Sequence, residues 1–241
     1  MVEPFIPLES NPELLNNLSQ SLGLASRVSF HDVYSLDDPS LLSFIPRPAF
    51  ALLLVFPISD AYEAHRSAED ASLPPYEPTP DDGVIWIKQT IGNACGTYAV
   101  LHALLNSPSL EFAPNSLLAA FKNDLPSLAI PSRVAYIESS ADLKSKHADV
   151  AAIGDTTAPD AFDDTNLHFV AFVKTEDGTL YELDGRRSGP LKRAVLLDTD
   201  DILCPVATKY VTQFMDREAE VSSPSASYLQ FSLVALAPSF D

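Results

Sequence analysis

VIWIKQTIGNACGTYAVLHALL, residues 84–105, falls into three consecutive pieces. Val84 to Gln89 reads as a strand and Thr90 to Ala94 as a short turn. Cys95 to Leu105 reads as a helix so apolar that most of its circumference must be buried. Such a helix needs cover on several sides, and the flanking sequence supplies it. Upstream, Asn11 or Ser10 followed by Pro12 and Glu13 starts a helix that runs to about Leu22 and stops at Gly23, because proline fits the first turn and an acid favours the positive end of the dipole. Val28–Tyr34 and Phe50–Phe56 read as strands, the second apolar on both faces and therefore central in a covered sheet. Leu36 to Ile45 is a short helix or turn, and Ser59 caps a helix to about Ala68.

Between that helix and residue 84, Glu69 to Gly83 holds five acids and four prolines and is expected to be an exposed loop. Downstream, helical patterns recur at Pro114–Leu125 and from Pro131 to about His147. His147 to Asn166 then loses periodicity, a length unusual for a loop inside a compact domain, which points to a functional or mobile segment such as a lid. Leu167–Val173 and Thr179–Leu183 form a hairpin pattern around Asp177-Gly178. A helix near Asp200–Glu218, with Pro205 at an internal start or a kink, precedes a last strand at Leu229–Leu236. No repeat or composition break marks a second domain. Residues 1–241 are therefore expected to form a single α/β (α+β) domain with helices around a central, mostly antiparallel sheet.

Composition narrows the function. The 241 residues carry 15 Lys+Arg against 33 Asp+Glu, a formal net charge of −18. Such a chain repels phosphate backbones, so nucleic acid is not expected as a partner, whereas a basic protein would be drawn to it. The longest apolar run, Ala49–Phe56, is too short to cross a bilayer, and the N-terminus lacks the pattern of a secretory leader. Cys95 and Cys204 have neither a metal-site nor a disulfide spacing. The expectations are a monomer of the cytoplasm, with the nucleus as a second place, that needs no cofactor or metal and touches no membrane.

Cys95 has the position of a reactive thiol, near the start of a helix behind the potential cap Asn93, where backbone N–H groups and the dipole lower a thiol pKa. Cys204 has no polar neighbours and reads as a small buried hydrophobe. A thiolate needs a base, and five histidines compete. His102 follows Cys95 on the same helix at a separation of about 10 Å, too far to reach the sulfur. His65 and His147 read as surface residues and His31 as structural. His168 opens a strand at the end of the long loop, where a side chain can face a cleft. Asp184, at the end of the partner strand, can orient it only if the hairpin register puts both on one face. A two-residue Asp177-Gly178 turn separates them; a three-residue Glu176-Asp177-Gly178 turn, with Gly178 left-handed and Val170 opposite Asp184, makes them diagonal neighbours. Gln89, six residues before Cys95, is placed to donate with the Cys95 N–H to an oxyanion.

With these residues in place, the chain resembles the ubiquitin carboxyl-terminal hydrolases of the cysteine peptidase type. KQTIGNACGTYAVLHAL (88–104), LHFVAFV (167–173) and LYELDGRRSGP (180–190) carry the resemblance, and PLESNPELL (7–15) and FHDVYSLDDPSLLSFIPRPAFALLLVFPI (30–58) extend it over essentially the whole chain, nearest to the short members. It implies that Cys95 is the nucleophile, His168 the general base, Asp184 the orienting carboxylate and Gln89 the oxyanion donor of a papain-like site. It also implies a knotted backbone and an active-site crossover loop before His168. Ubiquitin, or a related basic ubiquitin-like protein, becomes the expected partner, with Glu9 and Asp32 at positions near which it is received. The implied activity is hydrolysis after the C-terminal glycine of ubiquitin through a thioester, favouring small or unstructured leaving groups; the alternative is a module that binds and sequesters ubiquitin without cleaving. Gly92 and Pro205 depart from the family pattern away from the catalytic positions.

Overall fold

A computed structural model describes residues 3–154, 166–221 and 231–240. Its centre is a six-stranded antiparallel sheet built from β1 (Val28–Asp32), β2 (Ala51–Pro57), β3 (Leu167–Lys174), β4 (Thr179–Leu183), β5 (Leu191–Val195) and β6 (Ser232–Pro238), in the order β1-β6-β2-β3-β4-β5. The unbroken apolar run of β2 lies between β3 and β6, as a strand covered on both faces must. Ala51, Leu53 and Val55 point into one core with α1 (Pro12–Leu22) and α4 (Cys95–Asn106); Leu52, Leu54 and Phe56 point into the other with α3 (Asp60–Ser72) and α8 (Pro205–Val221). Helix α4 is buried along its whole length and packs on β3. That approach is close at Gly96, where a Cβ would meet Leu8 Cβ at 3.1 Å and the Phe169 ring at 3.5 Å.

Residues 84–90 take no regular secondary structure and join no ladder, which corrects the expected strand. Side chains, with one backbone bond at Gln89, replace the missing partner strand. Asn106 accepts from Ile85 N–H at 2.6 Å and donates to Ile85 C=O at 2.9 Å, and His102 Nε2 accepts from Ile87 N–H at 3.0 Å. Arg133 donates to Trp86 C=O at 2.8 Å, and Gln89 N–H donates to Gly185 C=O at 2.9 Å. His102 and Asn106 stand four apart on α4 and so present one face to the segment.

The expected short helix or turn at 36–45 holds α2 (Pro39–Leu42). Other boundaries move for local reasons. The pattern at 131–147 is two helices, α6 (Ile130–Glu138) and α7 (Ala141–Ala151), because the Ser140 hydroxyl accepts from Leu143 N–H and starts a new helix. Likewise Ser116, not Pro114, caps α5 (Leu117–Asp124). Pro205 opens α8 and does not kink it, and the last strand begins at Ser232, the stretch 229–230 lying outside the described residues. Strand β5 was not anticipated. Helix α3 continues to Ser72, so Glu69 and Asp70 are not loop residues: they pair with the buried Arg187, which is 2.7 Å from Asp70, and Glu69 also pairs with Arg193. The periodicity break begins after α7; of the expected crossover loop, 155–165 lie outside the described residues.

The hairpin takes the odd-length turn. Ala171 faces Leu183 and Lys174 faces Leu180, while Thr175 N–H donates to Thr179 C=O at 2.9 Å. Glu176, Asp177 and Gly178 remain as the loop, with Gly178 left-handed at φ 80°. Continued one step beyond β4, this register puts Asp184 opposite Val170.

Candidate active site

Cys95 is the first residue of α4, one position nearer the helix end than expected. Asn93 does not cap it. Asn93 takes a left-handed φ of 57° and makes the sharp turn into the helix, and Ala94 stands at the cap position without a side-chain cap hydrogen bond. The sulfur lies against His168 and the backbone N–H groups of Phe169 and Gly96. His168 is the second residue of β3, opposite Phe56 of β2, whose ring meets the imidazole edge-on at 5.8 Å. Its Nε2 is 2.8 Å from Asp184 Oδ1, which leaves Nδ1 for the thiol. The three side chains thus come from a helix start, a strand start and a strand end. His168 and Asp184 are 2% and 1% exposed.

Burial opposes charge on all three groups, and the geometry overrides it. Desolvation works against the Asp184 carboxylate, but His168, the Tyr62 hydroxyl and the Arg186 N–H hold its pKa well below the usual range. Burial likewise disfavours the imidazolium, yet Asp184 and Cys95 raise the pKa of His168. For Cys95 burial would raise the pKa, and the His168 contact with the two backbone donors brings it down. The arrangement therefore stabilises a thiolate beside an imidazolium, the reactive form of a cysteine nucleophile.

Gln89 stands near the end of the 84–90 segment, tied by its backbone to the residue after Asp184. Its Nε2 donates to Ile91 C=O at 3.2 Å, and its Oε1 is buried without a hydrogen-bond partner among the described residues. Glu9 and Asp32 are not members of the Cys–His–Asp group and lie at the same edge of the sheet. That edge is formed by the end of β1 (Asp32 opposite Val234), the start of β6 (Ser232 opposite Val55) and the start of β3 (His168 opposite Phe56). Ser10, next to Glu9, bonds Ser232 at 2.8 Å, and Glu9 lies against Gly154. Asp32 lines a groove of about 590 Å³ with Tyr34, Asp37, Asp216 and Phe231.

His147 is corrected from surface to core. It belongs to the buried stripe Leu143, His147, Val150 of α7, with Nδ1 2.7 Å from Thr97 Oγ1 and Nε2 2.8 Å from Ile6 C=O. The i, i+4, i+7 spacing was the available signal. His102 is a satisfied core residue, His31 bonds Pro238 C=O at 3.0 Å, and His65 is exposed as expected. Cys204 is buried. Residues not singled out from the sequence also reach the site: Tyr62 donates to Asp184 Oδ2 at 2.7 Å, Trp86 Nε1 to Asp184 C=O at 3.0 Å, and Arg186 N–H to Asp184 Oδ1 at 2.8 Å. Each is distant in sequence or acts through its backbone, so no local pattern marks it.

Comparison with known proteins identifies the family. The model of ubiquitin carboxyl-terminal hydrolase, family 1, matches residues 5–216. The chain is 35% identical to ubiquitin carboxyl-terminal hydrolase YUH1 of Saccharomyces cerevisiae, over 98% of this chain and 97% of that one. It is 36% identical to ubiquitin carboxyl-terminal hydrolase isozyme L1 of Rattus norvegicus, over 95% and 96%. In fold it resembles the crystallised UCH37 catalytic domain of Trichinella spiralis bound to ubiquitin vinyl methyl ester, with a TM-score of 0.71, 20% identity, and coverage of 97% of this chain and 95% of that one. With the antiparallel sheet, the buried helix and the Cys–His–Asp contact in place, the chain belongs to ubiquitin carboxyl-terminal hydrolase family 1, the cysteine-type deubiquitinating hydrolases.

Proposed function

We propose that this hydrolase cleaves the bond after the C-terminal glycine of ubiquitin through a thioester on Cys95. The thiolate attacks the glycine carbonyl, and the oxyanion so formed takes hydrogen bonds from the Cys95 N–H, which has no partner within its helix, and from the Gln89 carboxamide. Collapse breaks the C–N bond, and the His168 imidazolium gives its proton to the departing amine. Water then attacks the thioester, His168 taking its proton, and ubiquitin leaves with a free carboxylate as the thiol is restored. Asp184 keeps the ring oriented and its cation stabilised throughout. The observation that carries the reading is the buried 2.8 Å His168–Asp184 pair beside a thiol of lowered pKa.

Ubiquitin as the partner is supported by the names of the relatives and by the ubiquitin-bound neighbour. The charge of −18, with Glu9 and the acidic groove at Asp32 on the site's edge of the sheet, suits a basic protein. We assign the preference for small or unstructured leaving groups to the segment before His168. The test is release of a fluorogenic amine from the ubiquitin C-terminus: Cys95→Ala should abolish turnover while binding ubiquitin within a few fold of the parent. Turnover surviving in that variant would remove Cys95 from the chemistry, and a parent that binds without turnover would favour the sequestering alternative.

A further inference from the structure

Asp184 Oδ1 accepts from both His168 Nε2 and the Arg186 N–H, each at 2.8 Å, so one oxygen of the carboxylate serves both the catalytic ring and its own loop. Oδ2 faces the other way and accepts from the Tyr62 hydroxyl at 2.7 Å. Tyr62 is well placed to be a fixed donor. Its N–H is held by the cap hydroxyl of Ser59 at 3.0 Å, and its ring is wedged against Phe56 at 4.7 Å and Phe214 at 6.0 Å. Phe56 in turn meets the His168 ring, so one aromatic wall backs both the imidazole and the donor to its carboxylate.

We propose that Tyr62 is a positioning residue of the reaction, its hydroxyl holding the second oxygen of Asp184 so that the first stays in line with His168. This rests on the Cys95–His168–Asp184 roles proposed above. A carboxylate anchored at one oxygen only can turn about its Cβ–Cγ bond and take the imidazole out of line with the thiol; an anchor at each oxygen prevents it. Burial, with Asp184 next, keeps the phenol protonated across the working range, so the donor is always present. Besides His168 and Tyr62, the titratable and charged groups that act on this carboxylate and its donor are His102 from α4, Glu182 from β4, Arg66 from α3, Arg217 from α8, and Lys88 and Arg187 from the flanking segments, while Cys95 acts through His168. Tyr62→Phe changes none of them.

The test compares Tyr62→Phe with Phe214→Leu, which loosens the same ring but keeps the hydroxyl, using the ubiquitin amide substrate and haloacetamide alkylation of Cys95. Tyr62→Phe is expected to lower kcat by roughly tenfold or more, as loss of a hydrogen bond to a buried charge does, with KM nearly unchanged. The acid limb of kcat/KM and of alkylation should move to higher pH, because a buried carboxylate deprived of a donor takes up a proton more readily. Phe214→Leu should lose stability without moving that limb. Parent-like kinetics in Tyr62→Phe, a loss that follows stability in both variants with the limb unmoved, or failure of Tyr62→Phe to fold would each make Tyr62 a packing residue and overturn the proposal. Full activity in Cys95→Ala would instead overturn the triad roles on which it rests.

Discussion

Gly185 lacks a side chain where Gln89 fills the space: a Cβ there would lie 2.6 Å from Gln89 Cβ and 3.0 Å from its backbone nitrogen. Gly185→Ala should push Gln89 away from the site and reduce kcat by roughly a hundredfold, the scale of an ångström misplacement. Unchanged turnover of the ubiquitin amide would show that the position of Gln89 does not matter. The buried histidines make a second prediction. Burial lowers the pKa of both His102 and His147 to about 4, and both nitrogens of His147 are engaged as a neutral ring. Between that value and the unfolded value near 6.5 only the unfolded chain binds these protons, so stability falls as pH drops through the window, by about 1.4 kcal/mol per unit for each ring. His168 works in the opposite sense: its raised pKa gives a contribution complete below the unfolded value and lost as pH rises through the folded one. Urea unfolding at several pH values should show a shallower acid slope for His147→Gln than for the parent; equal slopes would contradict the buried neutral ring.

At the level of elements, residues 84–90 are held by side chains where a strand would be held by a ladder. Among the described residues, Asn106 alone satisfies both backbone groups of Ile85. Asn106→Leu fits the apolar surroundings but orphans a buried N–H and a buried C=O, a cost of about 2–4 kcal/mol. Denaturant unfolding measures it, and a loss under about 1 kcal/mol would mean the segment has other anchors. The hairpin is the opposite case, because its geometry is local. Gly178 supplies the positive φ, and Asp177 takes hydrogen bonds from the hydroxyls of Thr175 at 2.6 Å and Thr179 at 2.9 Å, closing a three-residue turn that puts His168 and Asp184 on one face.

For the whole molecule, a charge of −18 should make association with ubiquitin slow down as salt rises. Replacing Glu9 and Asp32 by Gln and Asn should reduce the association rate and leave turnover at saturation unchanged. Stopped-flow rates independent of salt would contradict it. Features that depend on near neighbours or on periodic pattern were legible in the chain: the apolar helix after Cys95, the doubly covered strand β2 and the hairpin with its left-handed glycine. It also carried the motifs from which Cys95, His168, Asp184 and Gln89 were read. Contacts between residues far apart in the chain became visible only in the folded molecule. Tyr62 reaches Asp184 across 122 positions and Arg187 reaches Asp70 across 117. His147 is buried because α7 turns it toward Thr97 and Ile6, and residues 84–90 find side-chain partners on α4 and α6 in place of a strand. Periodicity shows that a residue will be buried, but a hydrogen bond is a few ångströms long and directional, so its partner is settled only when packing brings two distant atoms within that reach.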